Sequence, residues 1–430
     1  MGSFLRSVKK RKKSRVLGRP MEIHNAETYE GLGLDAKAEL IRALIPLGLE
    51  RVSTLLKDEV MQLAGERYQR NDPSRSASRY GFNQGSVRLA GQRVPIRVPR
   101  VRGPQGEIPL ESYAALQENG DVDELLMRRV LYGISCRNYE TAAESIPGAI
   151  GLSKSSVSRS FVQKSAAKLR EFQERDLSTE RYVALFLDGK SFADDTMVMA
   201  LGATESGEKR FLGFVETDTE NEAVLTPFLR SLLDRGLNVS HGLLVVLDGG
   251  KGLRAAVRKA FSKKALVQRC QWHKRENVLS YLPKAEQAFC RKRLQQAYNR
   301  PTYEEAHAAL MALHAELNDR NQSAAASLLE GLEETLTLHR LGVYGVLGRS
   351  LKTTNCIEST NALVEERCSK VDAWKNSNQK HRWLATTLLE IEARLRRIKG
   401  YRHLPKLQIA LREELKLGRN EETGSKKKAA

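Results

Sequence analysis

Two runs of apolar residues in this chain each end in aspartate followed by glycine. Val183-Ala-Leu-Phe-Leu187 leads into Asp188-Gly189, and Leu243-Leu-Val-Val-Leu247 leads into Asp248-Gly249. A third acid, Glu358, stands far downstream in Thr353-Thr-Asn-Cys-Ile-Glu-Ser-Thr-Asn361, where a helix is predicted to begin. Strands buried in a parallel sheet read as continuous apolar runs, so both aspartates are expected at the same edge of one sheet, where open α/β sheets hold their ligands. Two strand-end carboxylates joined by a helical glutamate make an oxygen-only site suited to Mg²⁺. Phosphodiesters resist hydrolysis because their charge repels nucleophiles, and paired metal ions relieve that repulsion while holding the attacking and leaving oxygens in line. The residue types therefore point to phosphodiester chemistry. Either aspartate taken alone is as readily a turn former, since Asp-Gly is common in turns. Glu365 and Glu366 lie on the same predicted helix, and local spacing does not separate them from Glu358.

The elements around these acids must bring them together. After the first apolar run, Met197–Leu201 and Phe211–Val215 are predicted antiparallel strands, with Gly202 and Gly207 near the turn between them. Residues 220–235 are predicted helical, followed by the second run, a helix over Lys251–Lys263 and a short strand at Ala265-Leu-Val-Gln268. The order β-β-β-α-β-α-β matches a ribonuclease H-like sheet, whose first and fourth strands lie side by side. That adjacency makes Asp188 and Asp248 neighbours. Residues 283–350 are helix-rich without strand signals, like a helical domain inserted before Glu358, and residues 357–398 are helical again with a break near Trp374-Lys-Asn-Ser-Asn378.

Lys and Arg number 71 against 52 Asp and Glu, a formal charge of +19, which favours a polyanionic partner and nucleic acid over a membrane surface. No apolar stretch approaches the roughly 18 residues of a membrane span, and no signal peptide opens the chain. The five cysteines are odd in number and scattered, which fits a reducing cytoplasm and no disulfide framework. Basic residues recur upstream. Residues 1–20 hold Lys10 and Arg11 among eight Lys and Arg with no acid, a run expected to be disordered alone and able to dock on phosphates. Leu34–Tyr68 has helical apolar spacing. Val87–Arg102 alternates apolar and basic residues about Gly91 and is predicted to be a hairpin with Arg93, Arg97 and Arg100 on its basic face. Within a helical block over residues 122–172, Thr141–Arg159 has the form of a helix-turn-helix. Its second helix, capped by Ser153, would present Lys154, Ser155, Ser156 and Arg159 to a major groove.

Two further motifs compete for attention. Ala184-Leu-Phe-Leu-Asp-Gly-Lys190-Ser191 satisfies the loose form of a phosphate-binding loop, but Leu-Phe-Leu reads as strand interior and Asp188 would set a negative charge against the phosphates. Cys270-Gln-Trp-His273 has the spacing of half a zinc site. No second pair of similar spacing accompanies it, although His307, His314, His339 and Cys290 exist, and such a lone pair more often serves packing and hydrogen bonding.

Taken together, Phe186-Leu-Asp188-Gly, Leu247-Asp248-Gly-Gly-Lys-Gly-Leu253, Cys270-Gln-Trp-His273-Lys-Arg-Glu-Asn277 and Thr353-Thr-Asn-Cys-Ile-Glu358-Ser-Thr-Asn361 resemble the Mutator family of DNA transposases, especially its bacterial insertion-sequence branch. The order and spacing of these motifs span most of residues 180–400, whereas the first 170 residues resemble the family only in layout. The resemblance implies an Asp-Asp-Glu triad on a ribonuclease H-like core with a helical insertion before the glutamate. It assigns Asp188, Asp248 and Glu358 as catalytic ligands of two Mg²⁺ ions (Mn²⁺ able to substitute), and it selects Glu358 over Glu365 and Glu366. Cys270, His273 and Asn361 become structural signature residues near the site. Many relatives carry histidine in the turn where this chain has Gly250, a departure that leaves the three carboxylates in place.

The expected fold is multidomain α+β. A basic tail (1–20) precedes a helical and β-hairpin region (21–120), a helix-turn-helix-like region (121–175), a ribonuclease H-like core (176–282 and 351–400) interrupted by a helical insertion (283–350), and a C-terminal tail (401–430). The expected activity is binding of the element's terminal inverted repeats in double-stranded DNA, Mg²⁺-dependent cleavage and 3′-hydroxyl strand transfer by a dimer or larger assembly in the bacterial cytoplasm. A non-catalytic DNA-binding regulator and a ribonuclease H-like nuclease without strand transfer are the alternatives.

Overall fold

The structure, a computed structural model, describes residues 34–66, 77–89, 92–117, 122–132, 154–192, 195–219, 221–369 and 371–417. The basic tail with Lys10 and Arg11, the hairpin tip at Gly91 and the turn of the expected helix-turn-helix lie outside them. The chain divides into two compact units, residues 1–122 with 143–152, and residues 123–142 with 153–430.

The first unit holds helix α1 (Leu34–Ala64) and a three-stranded antiparallel sheet of β1 (Ser78–Leu89), β2 (Gln92–Gly103) and β3 (Gly106–Ile108), followed by the short helix α2 (Glu111–Ala115). The hairpin is longer than its sequence suggested, pairing from Ser78 opposite Arg102 to Leu89 opposite Gln92, with exposed Phe82 stacked by Arg97 and exposed Tyr80 by Arg100 and Arg102. Val87, Val94, Val98 and Val101 bury one face beside Val52, Leu56 and Val60 of α1, leaving Arg93 and Arg97 exposed. Arg100 instead grips Glu107 through two bonds of 2.7 and 2.6 Å.

The second unit opens with α3 (Val122–Leu131) and α4 (Lys154–Glu174). Lys154, Ser155 and Arg159 lie exposed on the first turns of α4. The helix continues well beyond them, burying Phe161, Ser165 and Phe172; Phe161 meets Trp383 at 4.8 Å and Ser165 Oγ accepts a 3.0 Å bond from Arg382. A five-stranded mixed sheet follows, built from β4 (Tyr182–Phe192), β5 (Asp195–Thr204), β6 (Lys209–Thr217), β7 (Leu243–Leu247) and β8 (Ala265–Arg269) in the order β6-β5-β4-β7-β8. β4 pairs antiparallel with β5 and parallel with β7, so the first and fourth strands of this sheet are adjacent as their order implied. Between them run α5 (Glu222–Asp234) and, after β7, α6 (Lys251–Phe261).

Asp188 does not stand at the end of its strand, contrary to what the apolar run before it predicts. Asp188-Gly189 is not a turn, because β4 continues to Phe192 with Asp188 opposite Met199 and Gly189 opposite Val198. The long antiparallel partner β5 carries the ladder past the point where the parallel pairing with β7 stops.

Helices cover both faces of the sheet, which is why its central strands read as unbroken apolar runs. Leu185, Leu187, Val245 and Leu247 face α5 and α6. Ala184, Phe186, Leu244 and Val246 face the opposite core, which also holds Ile357, Val364, Leu384 and Leu388. Helices α7 (Gln271–Ser280), α8 (Lys284–Tyr298), α9 (Tyr303–Arg320), α10 (Gln322–Leu329), α11 (Leu332–Thr335), α12 (Thr337–Arg340) and α13 (Tyr344–Leu351) lead from β8 to α14 (Asn355–Cys368) and α15 (Ser377–Glu392). Residues from Val278 to Leu336 form a helical core of their own, whereas Leu338, Leu341, Val343, Leu347 and Leu351 join the core against the sheet.

The segment read as a C-terminal tail over 401–430 contains an ordered helix, α16 (Leu404–Glu414). Leu404, Leu407 and Leu411 are spaced along one helical face and fully buried against the sheet core.

Candidate active site

Register decides where the two aspartates stand. β4 and β7 pair in parallel with Ala184 opposite Leu244, Leu185 opposite Val245 and Phe186 opposite Val246. Continuing that pairing by two residues sets Asp188 level with Asp248. Successive strand side chains alternate between faces, so Asp188 shares the face of Phe186, the one covered by α14, while Asp248, the first residue past β7, stands close enough to His273 for its charge to act on that imidazole. Asp188 is buried and accepts a 2.9 Å bond from Asn361 Nδ2, two turns into α14. Asp248 leaves β7 through a turn in which its Oδ1 accepts from the Gly250 amide at 2.9 Å. The next residue, Gly249, has φ +105° and lies against the guanidinium of Arg269, so a side chain there would meet both backbone strain and a clash.

Glu358 reaches the site from the first turn of α14. Its Oε1 accepts a 2.5 Å bond from the hydroxyl of Thr354, the residue at the head of that helix. Thr354 is wholly buried and also touches Cys270 Sγ, through its amide at 3.5 Å and its hydroxyl at 3.4 Å, and His273 Nδ1 at 3.4 Å. Cys270 in turn extends the β7–β8 ladder, its amide donating to Leu247 O at 2.7 Å. A short chain of contacts therefore runs from the residue before Asp248, through Cys270 and Thr354, to Glu358. The neighbouring amide of Gln271 donates to Lys352 O at 2.9 Å, which brings the start of α7 beside the approach to α14. Glu358 lies in the first turn of α14, where the helix dipole favours negative charge.

His273 Nδ1 lies 3.9 Å from Glu358 Oε1. Burial by itself lowers the imidazole pKa, but the hydrogen bond to Cys270 and the charges of Cys270, Glu358 and Asp248 outweigh it and hold it at about 9. Burial pushes the Cys270 thiol up, and the bonds from His273 and Thr354 more than reverse that, leaving it below the ordinary thiol value.

The other acids of α14 are engaged elsewhere. Glu365 is exposed and pairs with Lys190 at 2.6 Å, and Glu366 is exposed and pairs with Arg367 at 2.6 Å. Lys190 itself lies within β4, opposite Met197, so Ala184–Ser191 is strand and offers no phosphate-cradling loop. One buried atom in the site has no hydrogen-bond partner among the described residues. It is Asn361 Oδ1, whose amide is oriented by its donation to Asp188.

Comparison with known proteins gives the family of the chain. The family described as "Transposase, Mutator family" matches residues 21–397. The chain belongs to the Mutator family of transposases. It is 26% identical over 387 residues to the transposase for insertion sequence element IS256 in transposon Tn4001 of Staphylococcus aureus, covering 83% of this chain and 94% of the relative. It is 27% identical over 400 residues to the transposase for insertion sequence element IS406 of Burkholderia multivorans, covering 88% of this chain and 96% of the relative. The transposase for insertion sequence element IS6120 of Mycolicibacterium smegmatis is 30% identical over 253 residues, 57% of this chain and 76% of the relative.

In this Mutator-family transposase the structure brings Asp188, Asp248 and Asn361 to one edge of the sheet, with Glu358, Cys270 and His273 gathered at the head of α14 and α7. Lys154, Ser155 and Arg159 stand on the first turns of α4, and Arg93 and Arg97 belong to the other unit. The side chain of Ser156 is outside the described residues. Sequence reasoning passed over Thr354. The available signal was its place in Thr353-Thr-Asn, immediately before a predicted helix, where a hydroxyl residue commonly caps. Here its side chain reaches forward to Glu358 instead of capping the backbone. No helix among the described residues is long and apolar enough to cross a membrane.

Proposed function

We propose that this transposase binds the terminal inverted repeats of its own insertion sequence, hydrolyses one phosphodiester at each end to free a 3′-hydroxyl, and directs that hydroxyl at a phosphate of target DNA. The order β6-β5-β4-β7-β8, with the helices between Gln271 and Leu351 preceding α14, supports reading the unit as a ribonuclease H-like core carrying a helical insertion. The observation that carries the reading is the β4–β7 register, which, continued two residues past its last pair, sets Asp188 level with Asp248, with Asp188 bonded to the helix that bears Glu358.

The donor types suit Mg²⁺. Asp188, Asp248 and Glu358 offer hard carboxylate oxygens, and the unpartnered Asn361 Oδ1 beside Asp188 suits a water of a hydrated ion. When bound, Mg²⁺ would neutralise phosphate charge and activate a water or 3′-hydroxyl. The protein's own work is positioning. Asn361 holds the Asp188 carboxylate in one rotamer, the Gly250 amide holds that of Asp248, and Thr354 holds that of Glu358. Held carboxylates lose no further freedom as reaction proceeds, which is the general advantage of a preorganised site. Exposed Arg93 and Arg97 on the hairpin we assign to contact along DNA, and Lys154, Ser155 and Arg159 on α4 to a major groove. Two ends must be joined, so the working species is a dimer or larger assembly.

The test uses the full chain with labelled DNA carrying the element's end. Asp188→Asn should abolish Mg²⁺-dependent nicking and joining while retaining end binding by gel shift. A substituted protein that still nicks and joins refutes the site. Supplying the unaltered protein with a pre-nicked end separates strand transfer from simple nuclease action, because only a transposase joins that 3′-hydroxyl to target DNA.

A further inference from the structure

Cys270 and His273 looked like half of a metal site lacking its other half. The structure supplies a third donor from a helix that begins far along the chain. One ligand atom each from Cys270, His273 and Glu358 lies within 4.8 Å of the other two, the one such group of three metal-ligating side chains among the described residues. The hydroxyl of Thr354 sits among them, at 3.4 Å from Cys270 Sγ, 3.4 Å from His273 Nδ1 and 2.5 Å from Glu358 Oε1. Cys270 forms a buried floor, while the side chains of His273 and Glu358 are 28% and 31% exposed and form an open rim.

Thiolate, imidazole and carboxylate differ in kind from the oxygen-only donors of a Mg²⁺ site. Mg²⁺ requires oxygen in near-octahedral geometry, and sulfur excludes it. Zn²⁺ accepts all three donor types, and three protein ligands with a fourth position open to solvent is a recurrent zinc arrangement. We propose that Cys270, His273 and Glu358 form a second cation site, selective for Zn²⁺-class ions, that shares Glu358 with the catalytic carboxylates and silences the transposase when filled. The silencing rests on the catalytic reading of Glu358 above; the binding of the ion does not. Occupancy of the two sites is exclusive because one carboxylate, on the first turn of α14, serves both. Free zinc would then set the fraction of transposase able to cleave, independently of how much protein is bound to DNA.

The probe is Co²⁺, whose thiolate charge-transfer absorption reports a bound cysteine directly. Titrating the full chain with Co²⁺ should give that absorption with a stoichiometry of one, and Zn²⁺ should bleach it. Cys270→Ser should remove the absorption, and Cys356→Ser should leave it intact. Glu358→Gln, at a half-exposed position that tolerates the change, should retain the thiolate signal but weaken Co²⁺ binding about 10- to 100-fold, the usual cost of a lost metal-site contact. Absence of a thiolate band, a band that survives Cys270→Ser, or unchanged affinity in Glu358→Gln each overturns the proposal. In nicking assays at saturating Mg²⁺, Zn²⁺ should inhibit the unaltered protein. Asp188→Asn should keep the cobalt band while losing nicking. If that variant nicks, the catalytic reading fails while the metal site stands, and if the band is missing, the metal site fails alone.

Discussion

Replacing Asn361 with aspartate tests the geometry of the site without removing any of the three acids we propose as catalytic. The substitution is isosteric and changes the 2.9 Å bond from Asn361 Nδ2 to Asp188 into an encounter between two carboxylates, both only 7% exposed. If both remained charged, repulsion at that distance in an effective dielectric of about 20 would cost about 6 kcal/mol. Loss of a charge-assisted bond would add roughly 1.5 to 3 kcal/mol. Taking up one proton is cheaper. Protonating a carboxyl with an unfolded value near 3.9 costs about 4 kcal/mol at about pH 7, at about 1.4 kcal/mol per pH unit, and the shared proton restores a hydrogen bond. The pair then titrates as one unit whose folded pKa is raised above its unfolded value. Its contribution is intact below about pH 4 and is lost as pH rises, at about 1.4 kcal/mol per unit. Urea unfolding between about pH 5 and 8 should therefore show a deficit that grows with pH for Asn361→Asp and a constant deficit for Asn361→Ala. Parallel pH profiles for the two variants would refute the contact and, with it, the placement of α14 over Asp188.

Thr354→Val removes the hydroxyl that fixes Glu358 while preserving shape. Nicking should fall about 10- to 100-fold through loss of carboxylate positioning, with end binding unchanged in a gel shift and activity restored by Thr354→Ser. His273 is held at about 9, above its ordinary value of 6.5, so it contributes stability that is full below about pH 6.5 and lost as pH rises through about 9. His273→Asn should flatten that alkaline decline in unfolding midpoint and leave the protein less stable at neutral pH. Leu407→Ala should cost about 2 to 5 kcal/mol by opening a cavity in the core beneath the sheet, measured by denaturant unfolding. A cost near zero there would mean that α16 is not seated on the sheet.

Much of the second unit is legible in the sequence because its signals are local. Strands buried on both faces must be apolar throughout, so the runs before Asp188 and Asp248 announced themselves, and their order implied the adjacency of β4 and β7. Two features escaped for physical reasons. Asp188 looked like a strand end because the apolar run stops there, yet the ladder to β5 holds the backbone in strand through four more residues whose side chains need not be apolar. The helix over Leu404–Glu414 follows the last recognised motif and precedes a lysine-rich end, so only the helical spacing of its leucines at 404, 407 and 411 marks it.

The sequence by itself determined which residue types are available, two strand-borne aspartates and a motif containing Glu358, and which strands must be neighbours. It left Glu358, Glu365 and Glu366 on equal physical terms, because all three stand on one helix and backbone periodicity carries no information about what faces it. Tertiary structure separates them. The seating of α14 sets Glu358 beside His273, Asn361 on Asp188 and Glu365 on Lys190. It also converts the incomplete Cys270-x-x-His273 pair into a three-donor cluster, since the third ligand comes from a helix that reaches the site only after the helices between β8 and α14 have folded the chain back. Contacts between elements so distant in sequence are set by packing, and packing is not written in any local pattern.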